Sequence, residues 1–548
     1  MQIQESITLS FSDFVTTPNN GGKYYQIPYG TQEVTVTNLP LNKKVRLVRA
    51  NPSDNTISSV GTVKLYSQTQ AAVSAKNTLE SGYIHLEDIE TVFDYSDDSA
   101  YQQHQNEGVP YRIDFIDDTD YESLLYDFSS NSNSRCAENE EPSYMVSGTS
   151  SPSYSVGSTK TFNIVDSSNS WLYEPATVRA TGTYCYVWVA NSNFSNDAPN
   201  TYNDNKITQT QAQSLASYFD AIYQNETALL GSSYTTNPAP NIYIDPQNKI
   251  SILVHDIKQD FQPGQNGGTF GQFWANDLYK TTAGTGNIAK SNQMELLYID
   301  CHFFDRYPKD IISTMAHEFE HMLFYIHKTM NGIRANSTWF TEMGAMMAED
   351  VMSNTIKQAC PDFNIKANST ISRLYTFNYN YYQGGILSWQ GDIASYARSG
   401  IFGCWLLRNY GGAILLNNIV NNGYNGKESI SYALSSSPHP NDDFNDAFIK
   451  YALSFAQPNA TYFTLNKSVT GGNYPLVVAD PWDSYFQGYE SSTNQLSYYG
   501  PAFVSENYTG PMKSYGFWIT GWNSEQCTSV KLQLSKAGNE KNYIVIID

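Results

Sequence analysis

The sequence predicts an α+β chain in which a central segment of mixed strands and helices is flanked at each end by a segment of β pattern. Three observations predict it. Near the amino terminus apolar and polar residues alternate at Val34/Val36, Val45/Leu47 and Val63/Leu65, punctuated by turns such as Asn19-Asn20-Gly21-Gly22. In the middle, Ile312, Met315, Ala316, Phe319, Met322, Leu323 and Ile326 recur at three- and four-residue spacing, a stripe of helical period. Toward the carboxyl terminus alternation returns at Val530/Leu532/Leu534 and over 543–547.

Taken in order, residues 1–115 read as an amino-terminal β domain of sandwich-like form. Residues 116–156 turn acidic and rich in Ser and Asn and read as a linker. The central domain spans 157–460, with strands expected at 184–189, 242–244, 250–254 and 294–299 and a helix near 208–223. The strand at 294–299 is a candidate edge for pairing with an extended peptide, and equally an ordinary core strand. Helices are expected at 393–407 and 414–420, joined by Gly411-Gly412, and at 442–455. Asp443 and Asp446 near the start of the last favour its dipole. Calcium is a further candidate ligand of these acidic turns, although their spacing matches no EF-hand loop. Residues 461–548 form the expected carboxyl-terminal β domain.

With 548 residues the chain is long enough for two to four domains. Its 32 Lys+Arg against 53 Asp+Glu give a net charge of −21, which argues against nucleic acid or an anionic membrane as partner. Only 16% of residues are charged while Tyr reaches 42, so the polar surface is made largely of Asn, Ser, Thr and Tyr, a composition more usual for exported proteins. A secreted or cell-surface location is the expectation. The start MQIQESITLSF lacks a basic region followed by an apolar one, so an export signal would have been removed. No run of 18 apolar residues occurs, and no membrane span is expected. The six cysteines are scattered without a CxxC, which suggests no thiolate zinc cluster and leaves both disulfides and buried thiols open.

The chemistry concentrates in 311–350. His317-Glu318-Phe319-Glu320-His321 is an HExxH motif, and with 8 His in the chain chance would supply on the order of 0.01 copies. Histidines four residues apart project from one helix face, where both imidazoles can reach one Zn²⁺. Pro308 suits the first turn of this helix and Asn331-Gly332 its stop. Glu318 stands beside the first ligand as general base. A catalytic zinc needs a third protein ligand. His327 is one candidate, but it needs a helix break at the position of Phe324, and on a continuing helix it lies about 9 Å beyond His321 on another face. Glu342 is the better candidate, on a second helix that Ser337 and Thr338 can cap. Glu349, seven residues on, returns to the same face, where a carboxylate accepts the remaining N–H of a zinc-bound histidine.

HExxH followed by a helix-borne glutamate is the gluzincin arrangement. More narrowly, HEFEHMLFY and STWFTEMGAMMAED resemble the hyicolysin-type zinc metallopeptidases. Upstream, Asp245-Pro246-Gln247-Asn248-Lys249-Ile250, Gly271-Gln272-Phe273 and 292–300 are similar to that family as well. The resemblance covers roughly 157–460. One departure is that Thr341-Glu342-Met343 stands where the family usually has Asn-Glu-Gly, the glycine falling at Gly344. The resemblance implies a zincin-like catalytic domain that hydrolyses protein or peptide substrates with one zinc. It also implies a tyrosine downstream that stabilises the oxyanion, for which Tyr396 in Tyr396-Ala-Arg-Ser-Gly400 is the candidate, with a packing role as its rival. A zinc aminopeptidase would share the ligands but carry a GxMEN-type motif upstream, and none is present. A surface adhesin or glycan-binding protein built on the same fold is a rival without catalysis, and the intact HExxH weighs against it as the sole role. A purely structural zinc fold is disfavoured because only three ligands are evident.

Overall fold

A computed structural model of the chain describes residues 6–69, 153–196, 205–233, 248–359, 380–456 and 504–547, with short breaks, and isolated stretches elsewhere. Most of the acidic segment 116–156 lies outside the described residues, as do Cys136 and Cys360. The chain divides into two units. One comprises Met1–Val109, Thr370–Leu415 and Tyr424–Asp548, and the other Pro110–Ser369 with Leu416–Gly423.

The second unit is built on a six-stranded sheet in the order Gly271–Phe273, Leu296–Asp300, Ile250–His255, Cys185–Ala190, Trp171–Thr181, Thr159–Val165. Its second, third and fourth strands are parallel, with Val187 opposite Ile252 and Ile252 opposite Leu297. Their sequences LLYID, ISILVH and CYVWVA are apolar nearly throughout and every residue is buried, as parallel strands covered on both faces require. Parallel neighbours need a crossover, and Gln209–Leu230 supplies the helix between Cys185–Ala190 and Ile250–His255. It opens with a capping box, Gln211 N–H on Thr208 Oγ1 at 3.3 Å and Thr208 N–H on Gln211 Oε1 at 2.7 Å. The helix outruns its expected end at 223 because Leu229 and Leu230 still bury, and it stops at Gly231, whose φ of 111° other residues resist. Of the strand expected at 242–244, Ile242 forms an isolated bridge with Tyr279, and 243–244 lie outside the described residues.

Of the two readings of 294–299, the structure shows the interior strand. Leu296–Asp300 is flanked on both sides, by antiparallel Gly271–Phe273 and by parallel Ile250–His255, so its backbone groups are already paired. Gly271–Phe273 is the edge. Three residues carry no alternation from which a strand can be read.

In the first unit, the two end segments of the chain do not form separate β domains. They build two five-stranded sheets together. One runs Ser6–Ser10, Glu33–Thr37, Cys527–Leu534, Val63–Thr69, Ile84–His85 and the other Val15–Thr16, Gly22–Ile27, Lys541–Ile547, Lys44–Ala50, Phe517–Asn523. Val34, Val36, Leu65 and Leu532 of one sheet share a core with Val45, Leu47, Trp522 and Ile544 of the other. Alternation identified these buried faces, whereas pairing across the length of the chain leaves no local trace.

The same unit holds helices at Ile393–Asn409, Gly426–Leu434 and Phe444–Ser454, part of the stretch assigned above to the central domain. Gly411 and Gly412, at φ 111° and 73°, make the break after the first. Asp443 and Asp446 cap the last reciprocally, Asp446 N–H on Asp443 Oδ1 at 2.9 Å and Asp443 N–H on Asp446 Oδ2 at 3.2 Å, which engages both carboxylates in capping. The described cysteines, Cys185, Cys301, Cys404 and Cys527, are buried thiols. Among the described residues no helix is long and apolar enough to cross a membrane.

Candidate metal centre

The motif helix is Pro308–His327, with Pro308 in its first turn and Gly332, left-handed at φ 85°, closing the short 3₁₀ turn Thr329–Asn331 that follows. The apolar stripe is fully buried from Ile312 to Leu323, and so are the polar residues between, His317, Glu318, Glu320 and His321. A helix that buries polar groups on its second face has something there to hold. Beside it runs Thr338–Ala359, whose first turn follows Ser337, the Phe340 N–H donating to the Ser337 carbonyl at 3.1 Å.

Between the two helices His317, His321 and Glu342 bring one ligand atom each within 4.8 Å of one another, all buried. Among the described residues no other group of three His, Cys, Asp or Glu side chains converges in this way. His317 Nε2 lies 3.1 Å from Glu342 Oε2, and His321 Nε2 lies 3.8 Å from Glu342 Oε1. Two imidazoles and a carboxylate at this spacing fit Zn²⁺ by donor type and number, with a fourth position left for chemistry.

His317 has a second carboxylate on its far nitrogen, and His321 has one farther off, beyond hydrogen-bond distance. His317 Nδ1 lies 2.6 Å from Glu349 Oε1, and Glu349 Oε2 accepts from Ser313 Oγ at 2.9 Å. This contact sets the tautomer of His317, with its proton on Nδ1 and the Nε2 lone pair toward Glu342. On His321 the corresponding neighbour is Glu320, with Oε2 3.8 Å from Nδ1. Glu320 fits only because residue 344 is glycine, since a Cβ there would come within 2.8 Å of Glu320 Oε1. The displaced glycine thus makes room for a carboxylate. Burial pushes the Glu320 carboxyl up to about 8, with nearby His317 opposing and Glu342 adding to the rise. Glu226, fully buried on the crossover helix, is raised well above the usual carboxylate range by burial first and then by Glu320. The motif pattern points to neither Glu320 nor Glu226. A carboxylate on an otherwise apolar helix face, as Glu226 is with Ile222, Tyr223, Leu229 and Leu230 three and four residues away, is the signal that could have found one of them.

Glu318 is buried, and the edge strand passes over it. A Cβ on Gly271 would lie 3.2 Å from Glu318 Oε1 and 2.3 Å from Thr314 Cγ2, so only glycine lets the strand approach this closely. His327 takes no part in the group. Its ring faces the backbone of Gly231 and Ser232, and burial pushes its pKa down. Tyr396 belongs to the first unit, in the opening turn of Ile393–Asn409, buried with its ring edge-on to Trp389 at 4.7 Å.

A buried helix pair that presents HExxH and a glutamate to one point is the arrangement of helix-borne zinc peptidase sites. Comparison of the sequence with known families agrees, since the family model described as Peptidase M30 matches residues 167–504. That is more than half of the chain, and the chain belongs to the peptidase M30 family. It is similar to the neutral metalloprotease ShpI of Staphylococcus hyicus, 24% identical over 301 residues, in support of the hyicolysin-type resemblance. The alignment takes in 52% of this chain and 59% of that relative's length.

Proposed function

We propose that this chain is a secreted zinc endopeptidase, with a zincin-like catalytic domain and a β-sandwich-like unit built from both end segments. The observation that carries the reading is the buried convergence of His317, His321 and Glu342. Bound there, zinc supplies a Lewis acid that polarises the scissile carbonyl and acidifies water. Glu318 takes the proton of the attacking water as oxygen bonds to the carbonyl carbon, and passes it to the amine as the C–N bond breaks. Glu349 holds the Nδ1–H of His317 and thereby orients the ligand nitrogen. The outer edge of Gly271–Phe273 pairs with an extended peptide and brings its backbone to Glu318. The missing GxMEN-type motif supports internal cleavage over amino-terminal trimming. The acidic composition, poor in charged residues, supports export.

The test is a metal analysis with a digest of a generic unfolded protein, with and without chelator, the fragments read by mass spectrometry. About one zinc per chain, chelator-sensitive cleavage and internal cuts are expected. Proteolysis undiminished after verified metal removal would overturn the zinc reading, and a ladder of single-residue losses from the amino terminus would mark an aminopeptidase. Glu318→Gln should keep the metal and lose about 10²–10⁴-fold in turnover.

A further inference from the structure

At the carboxyl ends of the parallel strands the second unit holds a cavity of about 350 Å³, lined in part by Glu174, Asn205, His255, Asp256 and Phe261. Crevices at this end of a parallel sheet are where such folds bind ligands, and the volume suits a small molecule. None of these residues belongs to the metal group.

His255 is 3% exposed, and its ring nitrogens have no side-chain hydrogen-bond partner, only a loose contact with the Asp256 backbone. Burial pushes its pKa down to about 3, so at neutral pH it is an uncharged imidazole with one lone pair to offer. Asp256 is fixed beside it. Its Oδ2 accepts from Asn205 Nδ2 at 2.9 Å and its Oδ1 from the Asp260 N–H at 3.2 Å, with the Phe261 backbone N–H also directed at the carboxylate, so part of its acceptor capacity remains. The Asn205 amide is held in turn by the Cys301 thiol on Oδ1 at 2.8 Å. Glu174 adds a second carboxylate, tied to Ser192 Oγ at 2.9 Å. The field is negative. Burial first, and then Asp260, raises Asp256, and burial first, with Asp256 and Asp260 adding to it, raises Asp300. Lys206, at the rim, is bound to the Ser192 carbonyl at 2.9 Å. Three non-glycine residues of left-handed backbone surround the cavity, Asn205, Lys258 and Gln259, at φ 52°, 64° and 49°.

A bare ion is the wrong guest, because these donors do not converge on a point as those of the metal centre do. An extended cation with N–H donors fits. We propose that this cavity binds a primary ammonium group, held by Asp256 and Glu174, with one N–H donated to His255 and the carbon stem along Phe261. The group can come from a free amine or from a lysine side chain.

Calorimetric titration of the full chain tests it, with pentylammonium as the free amine and Nα-acetyl-lysine methylamide as the side chain. Binding of either supports the proposal, and their ranking identifies the source. Asp256→Asn and Glu174→Gln should each weaken binding about tenfold or more while metal content stays unchanged. Ligand should also move the His255 imidazole resonances. No binding of either probe would overturn the proposal. So would equal binding of 1-pentanol, which lacks the charge, or of tetramethylammonium, which lacks the N–H, or undiminished binding by both variants.

Discussion

Replacing Gly271 by alanine tests the closeness of the edge strand to the catalytic helix with a single methyl group. The new Cβ would come 2.3 Å from Thr314 Cγ2, 3.0 Å from Glu318 Cγ and 3.2 Å from Glu318 Oε1. Carbon atoms rest at about 3.5–4.0 Å, so strand and helix must separate by roughly an ångström or Glu318 must turn aside. Thr314 and Glu318 are both fully buried, and Thr314 Oγ1 is bonded to the Asp310 carbonyl at 2.9 Å, so neither side chain gives way freely. Overpacking of this kind costs about 1–3 kcal/mol of stability. A general base displaced by about 1 Å costs on the order of a hundredfold in kcat. The assay pairs a urea midpoint with kcat on a quenched peptide, metal content being checked in parallel. Adding Thr314→Ser removes the clashing methyl and keeps the hydroxyl, so the double variant should recover most of the stability. It should regain only part of the activity, because the contact with Glu318 remains. A Gly271→Ala protein with an unchanged midpoint and kcat within about threefold of the parent would refute the reasoning.

The ligand assignment predicts that Glu342→Ala loses the metal while His327→Ala keeps it, read by metal content after dialysis; the reverse pattern would restore His327. Glu349→Ala should weaken metal affinity by about 10–100-fold through loss of the Nδ1 contact, measured by competition with a chelator. Tyr396→Phe should lower kcat about a hundredfold with metal content unchanged, and a near-normal kcat would leave Tyr396 as packing against Trp389. Acid stability tests His255, whose pKa is near 6.5 when unfolded and about 3 when buried. Between these values the unfolded chain binds the extra proton, so the contribution of neutral His255 is present above about 6.5 and is lost as pH falls toward 3, by several kcal/mol in all. His255→Gln should flatten that part of the stability profile in urea titrations between these limits, and an unchanged slope would count against a buried neutral imidazole.

The metal group is legible in the sequence because its geometry is local. Two histidines at i and i+4 share a helix face whatever the rest of the chain does, and Glu342 and Glu349 follow on the next helix two turns apart. Glu320 escapes notice because it occupies a variable place in HExxH, and its partner His321 is recognisable only once Gly344 is seen to clear the space. Glu226 sits on a helix far upstream, and nothing in its neighbourhood says which carboxylates surround it. Alternation at Val530 and Leu532 reveals a buried face, but not that they stand opposite Val36 and Val34. Which strands pair is decided by long-range packing, which the local pattern does not encode.

That pairing has a consequence for how the protein is made. Cys527–Leu534 lies between Glu33–Thr37 and Val63–Thr69, and Lys541–Ile547 lies between Gly22–Ile27 and Lys44–Ala50. Both strands follow most of their sheet partners in sequence, yet they fill the middles of the sheets rather than extending their borders. While translation proceeds, the amino-terminal strands wait with bare edges on each side of a gap, the state in which nascent chains most readily pair with one another. Deleting 525–548 would split each sheet in two, so a variant without these residues should aggregate rather than fold as a slightly smaller protein.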